Sequence, residues 1–404
     1  MSMRAGVVVV GGGQAGLATS HELDRHGVSH VVLERGRVGQ SWRGRWESFC
    51  LVTPNWAMRL PGQAYDGADP DAFDARDDIV GFLERYARRN DAPVREGVEV
   101  HALRQAEGGG FRLSTSDGDI EATTVVVSTG AYQRAHRPEA AGDLAPDLLQ
   151  LDIGEYVAPA ELPTGPVLVV GSGQSGCQVA EELQKAGREV FLSCGRAPWA
   201  PRRISDHDLF WWLEESGFLA ARTETLPPAA RLLGNIVATG HGGGHDLNLR
   251  TLDELGVHLL GHLDGASGRR AGFRDDLAAS VAWGDERHGQ LRDVFTTFAA
   301  ERGLSAPEMP EPGRIDVDVP DEVDLAGFGA VVLAGGFRPD YSSWVDVPGA
   351  FDDNGFPVQR DGASTVAPGL YFVGVHLLRS RKSALFLGAG EDATVVADAI
   401  AAAA

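Results

Sequence analysis

Two stretches of the chain set four consecutive apolar residues directly before a glycine cluster: VVVVGGGQAGLATSHEL at 7–23 and VLVVGSGQSGCQVAEEL at 167–183. An unbroken apolar run of that length predicts a strand buried on both faces, the pattern of a parallel sheet. After the glycines the spacing of apolar residues changes to that of a helix, so each stretch predicts strand, tight turn and helix. The two copies lie 160 positions apart. Further buried strands are predicted at HVVLE (30–34), TTVVVSTG (123–130), AVVLAGGFRP (330–339) and GLYFVGV (369–375). VREGVEVHALRQ and FRLSTS predict a small additional sheet. Helices are predicted over 77–90, over 290–302 with Leu291, Val294, Phe295 and Phe298 on one core-facing side, and over the closing ALFLGAGEDATVVADAIA. The segment 135–165, rich in proline, glycine and alanine, reads as a linker, and 197–280 as irregular.

The glycine clusters carry the chemistry. Both read GxGxxG between a strand and a helix, the context in which this pattern marks a dinucleotide site. Gly11, Gly13 and Gly16 in the first copy, and Gly171, Gly173 and Gly176 in the second, allow the tight turn, the approach of backbone to a pyrophosphate and close helix packing. Gln14 and Ala15, like Gln174 and Ser175, open helices whose free N–H groups attract phosphate. The copies differ at the ribose end. Glu34, with Arg35 next to it, ends the second strand of the first copy, where a carboxylate accepts hydrogen bonds from ribose hydroxyls; this site reads as one for FAD or NAD. The 160-residue shift sets Cys194 opposite Glu34, with Arg196 just beyond and Arg202 and Arg203 close behind. Arginine forks bind a 2′-phosphate that a carboxylate would repel, so the second site reads as one for NADP. The fold expected is α/β, with two Rossmann-like dinucleotide-binding domains. The second (165–320) is inserted into a discontinuous first (1–160 and 321–404), and Thr129 and Gly130 end a strand beside the first cofactor.

Charge and composition narrow the partners. A formal charge of −21 argues against nucleic acid and anionic membrane surfaces. No stretch approaches the apolar length of a membrane span, and nothing at the start resembles a targeting segment, so a cytoplasmic location is expected. Lysine occurs only at 185 and 382, against 34 arginines, so single arginines are weighed as usage before function. Cys50, Cys177 and Cys194 form no CxxC pair, which removes a dithiol relay. His241, His245 and Asp246 in TGHGGGHDL read as an exposed loop, and no metal is expected.

Taken in order, GGGQAGLA, SWRGRWESFCLVTPNWAMRLPG, VVVSTGAY, GSGQSGCQVAEEL, PRRISDHDLFWWL, LAGGFRPDYSSW and GLYFVGVHLLRSRKSALFLGAGEDA resemble the flavin-containing monooxygenases with two dinucleotide domains, in their short bacterial form. The likeness spans nearly the whole chain. It implies FAD in the first site and NADPH in the second. Trp42 and Arg43 match the family segment that lies against the flavin, Asn55 matches an asparagine at its reacting edge, and His376 and Arg379 follow the strand at the flavin's pyrimidine side. Two departures stand out. The fingerprint FxGxxxHxxxY falls on Pro146, Leu148, Asp152 and Tyr156, so only the tyrosine agrees, and Gly335 stands where relatives carry threonine.

The activity this implies is NADPH-dependent insertion of one oxygen atom from O2 into a small molecule, at nitrogen, sulfur or a ketone, through a C4a-(hydro)peroxyflavin. Phe210, Trp211 and Trp212 offer either an apolar wall for such a site or a helix packed in the core. The altered fingerprint supports a second class, an FAD and NAD(P)H reductase or oxidase without oxygen insertion. A homo-oligomer is compatible with either.

Overall fold

The computed structural model describes residues 3–227, 230–231, 235–315 and 319–403. β1 (Met3–Val10) leads through the first glycine turn into α1 (Gln14–Arg25) and β2 (His30–Glu34). Next come α2 (Arg76–Arg89), β3 (Val94–Glu96), β4 (Val100–Gln105), β5 (Phe111–Thr115) and β6 (Gly118–Val127). The second unit begins with β7 (Leu149–Asp152) and β8 (Val167–Val170), followed by α3 (Gln174–Lys185) and β9 (Val190–Ser193). It continues through α4 (Leu209–Glu215), α5 (Leu249–Glu254), β10 (His258–Leu260) and the hairpin of β11 (Leu263–Ser267) and β12 (Arg270–Phe273). The unit ends with α6 (Leu277–Arg302) and β13 (Ala330–Leu333), and the chain with β14 (Leu370–Phe372) and α7 (Phe386–Ala403).

Two parallel sheets result, and they are built alike. In the first the strands run β14-β6-β1-β2-β3, with β5 and β4 extending the other end of β6 antiparallel. In the second they run β7-β13-β8-β9-β10, parallel throughout. The central strands explain the apolar runs: Val7–Val10 and Val167–Val170 are covered on both faces and all eight residues are buried. Each sheet is sandwiched between two apolar layers, Leu17 and Val396 against Phe111 and Phe372 in the first, Val179 and Leu252 against Leu260 and Phe273 in the second.

The duplication is permuted at its edge, and this corrects the expected boundaries. The outer strand of the first sheet, β14, comes last in its unit, whereas its counterpart β7 precedes β8. The segment read as a linker therefore holds an edge strand of the second sheet. Likewise Ala330–Leu333 pairs with Val167–Val170, so the return to the first unit comes after the turn at Gly335 and Gly336 and not at 321. Helix α6 runs for 26 residues, of which the expected 290–302 is only the end, and Val294 is exposed. Phe210 and Trp212 join the core between α4 and α6, where Trp212 meets Phe295 at 5.6 Å between ring centroids. Packing in the core is thus the role of this aromatic helix, though Trp211 stays partly exposed and stacks on His207.

Candidate active site

The two glycine turns are the same object built twice. Gly11 and Gly171 have φ of +113° and +111°. A Cβ on Gly11 would stand 2.5 Å from the Ser128 carbonyl oxygen, and one on Gly171 2.5 Å from that of Ala334. On Gly16 and Gly176 it would stand 1.8 Å from the carbonyl oxygens of Gly11 and Gly171. These four glycines are demanded by the fold itself, because helix and strand ends meet there with no room for a methyl group. Gly13 and Gly173 differ: a Cβ on either would have no neighbour within 4 Å. Each caps its helix without a side-chain hydrogen bond, leaving first-turn N–H groups of Gln14, Ala15, Gln174 and Ser175 facing that open space. Unsatisfied donors, helix-end positive potential and open volume fit a pyrophosphate.

Both first-turn glutamines have structural duties as well. Gln14 accepts from Trp42 Nε1 at 3.0 Å, while Gln174 accepts from the Ala238 N–H at 3.1 Å and donates to its carbonyl. Each ties its turn to a distant segment.

The ends of the second strands differ between the two units. Glu34 is buried, and its two carboxylate oxygens accept from Gly12 N at 2.7 Å and Gly36 N at 2.8 Å, which fixes the side chain in place; Arg35 next to it is exposed. In the second unit Ser172 replaces Gly12 and bridges to Gly195. Cys194, opposite Glu34, is fully buried and its thiol is pushed well above its ordinary pKa by that burial, so it brings no charge to the rim. Arg196 is exposed and in no ion pair among the described residues, as is Arg203. Arg202 is different. It is buried, paired with Asp208 at 2.8 Å, and its guanidinium lies 4.2 Å from the Phe73 ring centre. It is a packing residue and drops out as a phosphate ligand.

Around the first turn, Trp42 stacks on Phe386 at 5.6 Å, and Arg43 donates to the Val38 carbonyl and pairs with Glu84. Arg43 is therefore engaged with α2. Gly130, with φ +85° and open space where a side chain would be, receives the Tyr341 hydroxyl at 2.9 Å, and Thr129 receives the Gln133 amide at 2.9 Å. Gly335 needs its glycine, because a Cβ would lie 2.4 Å from the His136 carbonyl oxygen. His376 is half-buried, and burial together with Arg231 and Arg381 pushes its imidazole down to about 4, so it is neutral at working pH. Arg379 pairs with Asp361 and Asp392, both at 3.1 Å.

Asn55, expected at the reacting edge of the flavin, is held by its own loop. It is buried; its amide nitrogen donates to Asp74 Oδ1 (2.8 Å), to the Asp69 carbonyl (3.0 Å) and to the Tyr65 hydroxyl (3.1 Å), and its oxygen accepts from Asp74 N (2.6 Å). The side chain is spent on holding the loop 65–74. Asp152 pairs with Arg137 at 2.7 Å at the end of β7, while Tyr156, the one fingerprint residue that agrees, donates from the core to Glu182 at 3.1 Å.

Two features were not legible beforehand. Arg45 lies between the rings of Phe49 and Tyr132 with its Nε unpartnered, and burial lowers its pKa; it has no carboxylate partner among the described residues. The second arginine of SWRGRW was its only signal. The loop TGHGGGHDL is also less free than expected. A Cβ on Gly240 would lie 2.1 Å from the Leu51 carbonyl oxygen, and His245 Nε2 is 2.5 Å from the Glu181 carboxylate. No group of three or more metal-ligating side chains occurs among the described residues, and none of their helices is long and apolar enough to cross a membrane.

Known proteins share the family and the fold of this chain. A model of the pyridine nucleotide-disulphide oxidoreductase family matches residues 8–214. An uncharacterized CzcO-like oxidoreductase of Geobacillus kaustophilus is 30% identical over 96% of this chain and 95% of its own length. The indole-3-pyruvate monooxygenase YUCCA1 of Oryza sativa subsp. japonica is 30% identical over 46% of this chain and 47% of its own. A flavin-containing monooxygenase from Stenotrophomonas maltophilia shares the fold with a TM-score of 0.69 at 20% identity, covering 99% of both chains.

Proposed function

The chain belongs to the pyridine nucleotide-disulphide oxidoreductase family, and we propose that within it this protein is an NADPH-dependent flavoprotein monooxygenase. It would place one atom of O2 on a small molecule at nitrogen, sulfur or a ketone carbon. The observation that carries the reading is the pair of matching glycine cradles with opposite ribose ends: Glu34 in the first, Arg196 in the second. Bound flavin supplies hydride acceptance and oxygen activation; the protein has to supply binding, orientation and dryness.

The residues present fit that division. The first-turn N–H groups beside Gly13 would hold the FAD pyrophosphate and Glu34 its ribose, with Thr129 and Gly130 closing the far side. Arg45, an unpaired cation beside the Gly130 turn, would supply the counter-charge that the first turn lacks. Gly173, Gln174 and Ser175 would hold the NADPH pyrophosphate. Trp42 and Phe386 supply an apolar wall that excludes water. Neutral His376 can donate or accept a hydrogen bond there without bringing charge.

A second reading, a reductase or oxidase, has its own observation: Asp152, where the family fingerprint has histidine, is tied to Arg137. The experiment that separates them is a product balance under 18O2 with NADPH and a panel of amines, thioethers and ketones. Label in product at a fair fraction of NADPH consumed supports the monooxygenase. Electrons recovered wholly as hydrogen peroxide across the panel would replace it with the oxidase reading.

A further inference from the structure

The rims of the two cradles differ in chemistry at two positions, not one. In the first unit β2 and β3 end side by side in Glu34 and Glu96, which are paired in register. In the second unit Ser193 pairs with Leu260, so the equivalent ends are Cys194 and Gly261, and the side chains that follow are Arg196 and His262. Two carboxylates at one adenosine end thus face a guanidinium and an imidazole at the other.

His262 is built into this position. Ser193 Oγ donates to the Gly261 carbonyl at 3.0 Å and accepts from Leu263 N at 3.0 Å, while Cys194 N donates to the Leu260 carbonyl. Those bonds lock the two strand ends together. As a result the imidazole lies against Gly195: a Cβ there would be 3.1 Å from His262 Nε2. On its other edge Nδ1 is 2.7 Å from Asp276 Oδ2, and the backbone N of His262 donates to Asp276 Oδ1 at 2.9 Å. Asp276 accepts at Nδ1, so Nε2 is the nitrogen left to meet a ligand, and the side chain is 42% exposed. The neighbouring charges are otherwise spent, Arg274 on Asp264 at 2.6 Å.

We propose that His262 is a second 2′-phosphate ligand beside Arg196, and that the two together set the preference for NADPH over NADH. A phosphate dianion seated over Gly195 would accept from the Arg196 fork on one side and, with a proton taken up onto His262 as the phosphate binds, from the Nε2–H of the imidazolium on the other, while Asp276 accepts from Nδ1 and holds the ring. The glycine at 195 is what leaves the imidazole room to lie there. This inference rests on the NADPH reading above.

The test is calorimetry on the FAD-loaded protein, without turnover, using adenosine 2′,5′-bisphosphate and ADP as probes. The wild type should favour the bisphosphate. His262→Ala should weaken the bisphosphate about tenfold and leave ADP within about twofold, since the contact removed is one charge-assisted hydrogen bond. His262→Gln, which keeps a donor at that reach, should recover part of the loss. If His262→Ala keeps the full preference while Arg196→Ala abolishes it, the role of His262 is overturned and the NADPH reading stands on Arg196 alone. If the wild type binds both probes equally, the NADPH reading has failed, and the proposal with it.

Discussion

Arg202 Nη1 donates to the Val52 carbonyl at 2.7 Å, so a buried guanidinium from the second unit is pinned to a backbone oxygen of the first. The same guanidinium pairs with Asp208 at 2.8 Å, and both side chains are buried, at 2% and 7% exposure. Burial lowers the pKa of Arg202 and raises that of Asp208, each opposed by the partner's charge, so each makes the other's ionisation tolerable. Arg202→Met should therefore cost about 3–5 kcal/mol by stranding Asp208 in the core, read from urea unfolding. The double variant with Asp208→Leu should regain most of that. Equal losses in single and double variants would show that the cost is lost packing on Phe73 instead.

The glycines separate into two kinds with opposite expected failures. Gly16→Ala drives a methyl group into the Gly11 carbonyl and should destabilise the flavin-free protein itself, by about 1–3 kcal/mol or more. Gly13→Val meets nothing in the chain, so the flavin-free protein should melt close to wild type but purify colourless. Thermal melts with and without added FAD, together with flavin content, distinguish the two. A yellow Gly13→Val protein would move the pyrophosphate elsewhere.

For Arg196, exposed at the rim, substitution should leave stability alone. Arg196→Glu should raise the KM for NADPH at least tenfold more than that for NADH, because a charge-assisted contact is replaced by repulsion. An unchanged ratio by steady-state kinetics would shift the phosphate contact to Arg203 or His262.

Asn55→Ala should act through the loop it holds. Its amide satisfies Asp74, Tyr65 and a backbone carbonyl from a buried position, so its removal should cost about 1–3 kcal/mol. At equal flavin content the ratio of product to peroxide should change little. Full stability with collapsed coupling would return Asn55 to the reacting edge of the flavin.

His376 makes stability depend on pH. Its pKa is lowered from an ordinary 6.5 to about 4, so below 6.5 the unfolded chain takes up a proton that the folded chain refuses. The contribution is present above pH 6.5 and lost as pH falls toward 4. Urea unfolding between those limits should show the protein weakening, and His376→Gln should flatten that part of the curve. An unaltered slope would place the titration on other groups.

What the sequence determined by itself was local. The two strand-turn-helix phrases follow from glycine sterics and from the change of apolar period within about a dozen residues, and both units formed where the letters placed them. The contrast between Glu34 and Cys194 was readable too, because both are fixed in register by those phrases. Everything depending on residues far apart was decided by tertiary packing. Strands of four residues at 149–152 and 330–333 carry no mark of which sheet they will join, and it was their pairing with Val167–Val170, directly or through one another, that moved the domain boundaries. Arg196 and Arg202 are the same letter six positions apart, yet one lies in solvent and the other is sealed under Phe73 by a loop from elsewhere in the chain. Burial is a property of what closes over a side chain, and a one-dimensional pattern does not contain it. For the same reason Asn55 looked available until its loop was seen wrapped around it, and His262 looked like one histidine among twelve until β10 set it against Gly195.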